Sequence, residues 1–402
     1  MREMKDSHVV WMGKIPACWK VIPVKYVVNI GNGSDPKKEG LTPVYGSGNA
    51  SFKTCGEHKE GPAVLLGRKG TVNIPQYIEG KYWNVDTAFD AKPVDDYNLK
   101  LFYYSAICFD YDNYSTQTAL PSMTQSTYNN FRVPLPSIDE QNRIVNYLDS
   151  KCSEIDALSA DIQKEIETLE QYKRSVITEA VTKGLNPDVE MKDSGIEWVG
   201  NIPAHWDTIP IRYLFAECRL KNILNQEKTA LKFTYGTIIK KTNFDSDSDE
   251  YVANTMTNYT VVYPGTIMIN GLNLNYDFVS QRVGLVKDRG AITSAYLAIV
   301  PGSRVVSEYA NYQLKSWDYA KAFHNMGTGV RKTLDFSELG KKYFVTPSIE
   351  EQSKIVAFLD SKCKEIEAII ASKKQQLTVI DSYKKSLIYE YVTGKKEVPA
   401  QN

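Results

Sequence analysis

The chain has 402 residues, and its 48 Lys and Arg balance 48 Asp and Glu to a formal net charge of zero. At about 100–200 residues per domain, this length predicts two or three domains. With 24% charged and 42% hydrophobic residues the composition excludes disorder, and the balanced charge excludes a polycation that coats nucleic acid with its whole surface. No run of 18 apolar residues is present to span a bilayer.

Met1 to Asp6 carry no apolar stretch, so no secretory leader is expected. Cys18, Cys55, Cys108, Cys152, Cys218 and Cys363 are dispersed without a Cys-x-x-Cys pair, which predicts free thiols in a cytoplasmic protein. Neither they nor the four histidines have zinc-ligand spacing, so no metal is expected.

In chain order, the first feature is a box, KDSHVVWMGKIPACWKVIPVKY at 5–26, which returns as KDSGIEWVGNIPAHWDTIPIRY at 192–213. A second segment, PSIDEQNRIVNYLDSKCSEIDA at 136–157, returns as PSIEEQSKIVAFLDSKCKEIEA at 347–368, and 23 of 47 positions are identical between 136–182 and 347–393. Such self-similarity marks a duplicated architecture. Residues 27–135 and 214–346 lie between the repeated segments and share no alignable run. The chain is thus a constant frame written twice around two divergent modules, an arrangement suited to one geometric task performed on two targets.

The module at 27–135 alternates short Val, Ile, Tyr and Phe runs with Gly, Pro and Asn turns, as does 214–346, which predicts mixed α/β or β-rich domains. Several of their loops have the composition of a base-reading surface. In the first module these are Tyr45, Ser47 and Asn49 in a Gly-rich turn, Arg68 and Lys69 between glycines, and Thr116, Gln117, Thr118 and Gln125. In the second they are Asn270, Asn273 and Asn275, then Arg282, then Thr328, Arg331 and Lys332. Arg and Lys pair with guanine edges and Asn and Gln with adenine, so polar loops at comparable places in both modules point to nucleic acid.

After each module the pattern becomes helical, without Gly or Pro, from Pro136-Ser137-Ile138-Asp139-Glu140 to Gly184 and from Pro347-Ser348-Ile349-Glu350-Glu351 to Gly394. Serine N-caps with acids in the first turn start such helices and glycine stops them. Each is about 44 residues and about 66 Å long. The expected apolar seam uses Leu148, Ile155, Leu158, Ile162 and Leu169 in the first helix, and Leu359, Ile366, Ile369, Leu377 and Ile380 in the second. The two helices are expected to pair as a coiled coil, the first more acidic (6 basic, 10 acidic over 139–183) and the second more basic (9 and 7 over 350–396). Duplication alone leaves parallel and antiparallel pairing both open. The expected domains are 1–135, the helix 136–184, linker, box and module at 185–346, and the helix and tail at 347–402.

Catalytic motifs are absent: no phosphate-cradling Gly-x-x-x-x-Gly-Lys loop, no Gly-x-Ser-x-Gly elbow and no His-Glu-x-x-His. Asp188, Glu190 and Lys192 sit too close together in a polar linker to converge on a nuclease metal. The repeated frame, Pro-x-x-x-Glu-Gln-x-x-Ile-Val-x-x-Leu-Asp at Pro136–Asp149 and again at Pro347–Asp360, resembles the specificity subunits of type I restriction–modification systems. The tryptophan boxes and Gly-rich loops are similar to that family as well. The resemblance implies a mixed α/β chain with two globular target-recognition domains separated by a long antiparallel two-helix coiled coil, in a pseudo-twofold duplication. It also implies a non-catalytic subunit that reads a bipartite, asymmetric double-stranded DNA target. Two modification subunits would dock on it, carrying S-adenosylmethionine, and ATP-dependent restriction subunits would join them; the chain itself would hold no cofactor. The rival readings are a fused methyltransferase–specificity chain, which would need an Asn/Asp-Pro-Pro-Tyr/Phe motif that is missing, and a DNA-free coiled-coil assembly protein.

Overall fold

The computed structural model describes residues 2–48, 50–94, 96–116, 118–241, 256–278, 281–330 and 332–399. It divides into two compact units, Met1–Lys164 with Lys373–Asn402, and Glu165–Ser372. These units cut across the segments expected from sequence, because each long helix contributes one half to each unit.

In the first unit, β1 (Met4–Asp6) and β2 (Lys14–Pro16) form an antiparallel hairpin, and β3 (Lys20–Pro23) pairs with β12 (Arg132–Leu135) to close the module at its neck. Inside that neck lie β4 (Val28–Asn32), β5 (Thr42–Tyr45), β6 (Ser51–Cys55), β7 (Lys59–Glu60), β8 (Ala63–Gly67), β9 (Gln76–Ile78), β10 (Lys81–Asn84) and β11 (Ala88–Pro93). They make two sheets, ordered β4-β11-β8-β9 and β6-β5-β10-β7. The run Ala63-Val64-Leu65-Leu66 is buried throughout because both faces of β8 are covered, Val64 and Leu66 packing into the main core and Ala63 and Leu65 against Tyr82. Helices α1 (Leu99–Ile107), α2 (Tyr111–Tyr114) and α3 (Gln125–Asn130) complete the module.

After α4 (Ile138–Lys183), the second unit follows the same path: hairpin β13 (Met191–Asp193) with β14 (Asn201–Pro203), and neck β15 (Asp207–Pro210) with β24 (Tyr343–Thr346). Its module holds β16 (Phe215–Glu217), β17 (Leu231–Thr234), β18 (Thr237–Lys240), β19 (Thr260–Val262), β20 (Ile267–Ile269), β21 (Val283–Leu285), β22 (Gly290–Ile292) and β23 (Leu297–Pro301). Helices α5 (Ser307–Tyr319) and α6 (Phe336–Leu339) precede β24, and α7 (Ile349–Val392) ends the fold. The four-stranded order β16-β23-β20-β21 matches β4-β11-β8-β9 strand for strand. The modules therefore share a topology that their sequences do not reveal.

The repeated Glu-Gln pair explains why the frame resists change. In the first unit the Trp19 indole donates to Glu140 at 2.8 Å. The Gln141 side chain accepts from the Asn98 backbone at 2.8 Å and donates to the Pro136 carbonyl at 3.1 Å. In the second unit Trp206 donates to Glu351 at 3.2 Å, while Gln352 accepts from the Val306 backbone at 2.8 Å and donates to Pro347 and Arg304 carbonyls at 2.9 and 3.0 Å. Both glutamines are buried, so their amides must be paired. About two turns later Tyr104 donates to Asp149 and Tyr312 to Asp360, each at 2.7 Å. At the other end of each helix, Gly184 and Gly394 adopt left-handed φ of +76° and +67°, and a Cβ on Gly394 would stand 2.5 Å from Pro16. Box, module and both helices thus meet at one corner in each unit.

Within each unit the helix halves run antiparallel. In the first, Lys384 meets Asp156 at 2.6 Å and the rings of Tyr147 and Tyr391 lie 4.5 Å apart; in the second, Lys173 meets Glu367. These are the same lysine–carboxylate pair repeated at corresponding positions, as the duplication requires. The covered positions on α4 are Leu148, Cys152, Ile155, Ser159, Ile162, Ile166, Leu169 and Lys173; on α7 they are Leu359, Cys363, Ile366, Ile370, Lys373, Leu377, Ile380 and Lys384. This alternation of four and three is a heptad seam. Two expected seam residues are corrected by it: Leu158 and Ile369 are 51% and 42% exposed, since each lies one residue out of the 3.5-residue phase.

Replacing Gln352 with Leu leaves the Val306 N–H and two carbonyls without their partner. The expected loss is about 1–3 kcal/mol of unfolding free energy, read from urea denaturation by tryptophan fluorescence. An unchanged midpoint and slope would show that the amide does not anchor the helix.

Candidate nucleic-acid interface

In the first unit three loops meet around the end of β8. The backbone N–H groups of Arg68 and Lys69 donate to the Thr87 carbonyl at 2.8 and 3.3 Å, Met123 donates to the Arg68 carbonyl at 2.9 Å, and Gly70 to Pro121 at 2.9 Å. Gly70 has φ +82°, and a Cβ there would lie 3.4 Å from the Ser47 hydroxyl, which brings in the β5 loop. Thr116 accepts from the Ser122 N–H at 2.9 Å, and Thr118 donates to the Leu120 carbonyl at 2.8 Å. The fold therefore gathers Ser47, Arg68, Lys69, Thr116 and Thr118 into one patch. Arg68 lies 5.8 Å from the Phe89 ring centroid, and the half-exposed Lys69 ammonium sits 3.9 Å from Asp86. So long an exposed pair is weak, which leaves Lys69 able to exchange Asp86 for a phosphate or a base edge.

Two expected residues are held otherwise. Tyr45 packs against the Ala63, Leu65 and Tyr82 cluster, and Gln125 donates to the Ile30 carbonyl at 2.6 Å, tying α3 to β4. Asn49, Gln117 and Arg331 lie outside the described residues.

The second unit builds its patch at the same topological place. The loop after β20 meets the segment before α6: Leu334 donates to the Gly271 carbonyl at 2.9 Å and Leu274 to Lys332 at 3.1 Å, while the Asn275 amide donates to the Val330 carbonyl at 3.1 Å. The Leu334–Gly271 bond is the counterpart of Met123–Arg68, since Leu334 and Met123 each precede the N-cap of a short helix, Asp335 and Thr124. Thr328 and Thr333 exchange two backbone bonds and lift Gly329 and Val330 to a tip. Asn270, Asn273, Asn275, Thr328 and Lys332 are brought together here, and the Asn270 carboxamide accepts from the Leu272 N–H at 3.2 Å.

Arg282 does not belong to this surface. Its side chain is fully buried, and the guanidinium donates to the carbonyls of Asn270 and Leu272 at 2.9 Å each and of Asp277 at 2.6 Å. Its own N–H donates to Asp318 at 2.7 Å. Burial pushes this guanidinium below its ordinary pKa, against the pull of Asp277 and Asp318, and burial raises the Asp318 carboxyl. The expectation of a DNA contact at Arg282 is therefore corrected: its donors face the loop's own backbone.

Sequence reasoning also missed exposed apolar tips, namely Leu120 in the first unit and Val330, Tyr276 and Phe278 in the second, with Val330 91% exposed. Such side chains offer flat or wedge-like surfaces to bases. Their signal was an apolar residue flanked by turn formers, as in Gly327-Thr328-Gly329-Val330. Among the described residues no group of three His, Cys, Asp or Glu is placed to hold a metal ion, and no helix is long and apolar enough to cross a membrane.

The chain is similar to several known proteins. Residues 16–168 match the type I restriction modification DNA specificity domain. The type I restriction enzyme MjaVIII specificity subunit of Methanocaldococcus jannaschii is 24% identical over 360 residues, covering 84% of this chain and 77% of that protein. A putative type I restriction enzyme MjaX specificity subunit of the same organism is 24% identical over 286 residues, covering 69% and 62%. In fold, the chain is similar to one from a structural study of complex assembly and conformational transition in a type I restriction–modification system, with a TM-score of 0.67, 12% identity and coverage of 95% and 99%.

Substituting Arg68 and Lys69 with Ala should weaken duplex binding and alter preference in one part of the target only. The salt slope of binding should fall by about 1 for each phosphate that the variant no longer neutralises. Equal weakening on every sequence, measured by filter binding, would make the two residues phosphate clamps and not readers.

Proposed function

From the match of residues 16–168 to the type I restriction modification DNA specificity domain and the likeness to curated specificity subunits, we propose that the chain is such a subunit and reads a bipartite, asymmetric double-stranded DNA sequence, one half with each module. As a specificity subunit it is the non-catalytic component of such a system. The observation that carries the proposal is the paired patch: both modules join the loop after their central strand to the segment before a short helix by an equivalent hydrogen bond, yet line the junction with different side chains. Arg68, Lys69 and two threonines occupy one, and three asparagines, Thr328 and Lys332 the other. A shared backbone solution with unlike side chains suits two readers of unlike base sequences.

The long helices act as the spacer between the readers. In this reading the two helices set the gap between half-sites; α4 alone, with 46 residues, is about 69 Å long, against about 34–36 Å per turn of B-DNA. A duplicated frame offers equivalent surfaces to two identical partners, here two modification subunits that carry S-adenosylmethionine and flip their target base. The same reading has ATP-dependent restriction subunits completing the assembly, no cofactor on this chain and a cytoplasmic location.

The test is selection from a randomised duplex library with the modification partner present, for the natural chain and for one with four residues inserted within 158–170 and a matching insertion in α7. The natural chain should enrich two short motifs at a fixed gap, and the insertion should change the gap while the motifs persist. No enriched two-part motif contradicts the reading, and an unchanged gap contradicts the spacer role.

A further inference from the structure

We propose that Arg282 is a positioning residue for DNA specificity, which sets the bases read by the second module from inside the protein without touching them. The inference rests on the function proposed above and adds a determinant that no surface reading would select.

The argument begins with what the guanidinium binds. The loop that leaves β20 at Asn270 and runs to Phe278 carries Asn273 and Tyr276 on its exposed side. On its inner side three carbonyls, of Asn270, Leu272 and Asp277, converge on the two terminal nitrogens of Arg282. The loop is folded around a cation where a core would place an apolar side chain. Only a planar, permanently charged fork supplies several donors in such fixed directions. Arg282 is itself held from behind, since its N–H donates to the buried carboxylate of Asp318 on α5 and its carbonyl accepts from the Asn270 N–H at 2.8 Å. A second interaction steadies the far end of the loop: the His324 ring stacks on Phe278 at 4.5 Å, and its Nε2 lies 3.1 Å from the Asp277 carbonyl.

The consequence is specific. Asn273 stands at φ +52°, a left-handed conformation that a non-glycine residue keeps only where its surroundings fix it. The Asn275 amide is aimed at the Val330 carbonyl of the neighbouring tip. Without the guanidinium the part-buried carbonyls of Asn270 and Leu272 lose their donor and that of Asp277 is left with His324 alone, and the loop must turn the first two to water. That movement displaces Asn273, Asn275 and Tyr276 together. A base contact depends on angstrom-level placement of its donors and acceptors, so discrimination falls even though every surface side chain is still present. An arginine that only held the domain together would bind the strands of the sheet; this one binds the reading loop.

The experiment uses the full chain with its modification partner and the duplex selected by the natural protein, with each base pair of both halves varied singly. Natural protein, Arg282→Met, Arg282→Lys and Asn273→Ala are compared by filter binding. Asn273→Ala identifies which half the second module reads. Arg282→Met should lower discrimination in that same half by about tenfold, with discrimination in the other half unchanged. Arg282→Lys, with a point charge in place of the fork, should fall between Met and the natural residue. Unchanged base-by-base discrimination in both variants, with or without a uniform loss of affinity, overturns the proposal. Should Arg282→Met fail to fold by circular dichroism, Arg282→Lys alone decides, by the same two outcomes. A natural chain with no two-part preference would instead defeat the function proposed above.

Discussion

Everything in this protein is hung from a hydrogen-bonded corner that occurs twice, where a glutamate takes an indole N–H and the next residue, a buried glutamine, ties the helix start to the module. Trp19, Glu140 and Gln141 make it in one unit, and Trp206, Glu351 and Gln352 in the other. A buried amide tolerates only the geometry that pairs it, so the corner fixes the direction in which each long helix leaves its module. The glycine that ends the other helix fits against the same box, where a side chain at Gly394 would collide with Pro16 and Trp19. This explains why identity between the halves is confined to the frame: its residues answer to one another.

The sequence made the frame legible and the modules obscure, for physical reasons. Helix limits could be read from Ser137, Ser348, Gly184 and Gly394, because capping chemistry is local. The seam could be read only in part: Leu158 and Ile369 look like core residues by hydrophobicity, but a 3.5-residue repeat passes over them in favour of Ser159 and Ile370. The shared strand order of the modules left no trace in the sequence, since strand pairing demands only alternating burial, which many residue sets satisfy. Arg282 was misread for a related reason. An arginine beside a polar loop has the same sequence appearance whether it points to solvent or into the loop, and only packing distinguishes the two.

The zero net charge now has a structural meaning. Many charges are spent internally: Lys384 and Lys173 on the facing helix, Lys100 on Asp149, Lys59 on Asp90, and Arg282 on its own loop. Among the described residues, the loop junctions keep Lys332 and the weakly paired Lys69. Under the proposed function, such a chain gains modest phosphate affinity by itself, and base discrimination at its two patches outweighs bulk attraction.

Base-resolution methylome sequencing of cells that express this chain with its modification partners tests the central claim most directly. The account predicts one methylated motif with two unlike halves at a constant nonspecific gap, lost when the chain is deleted. A continuous or palindromic motif, or methylation unaffected by the deletion, would contradict it.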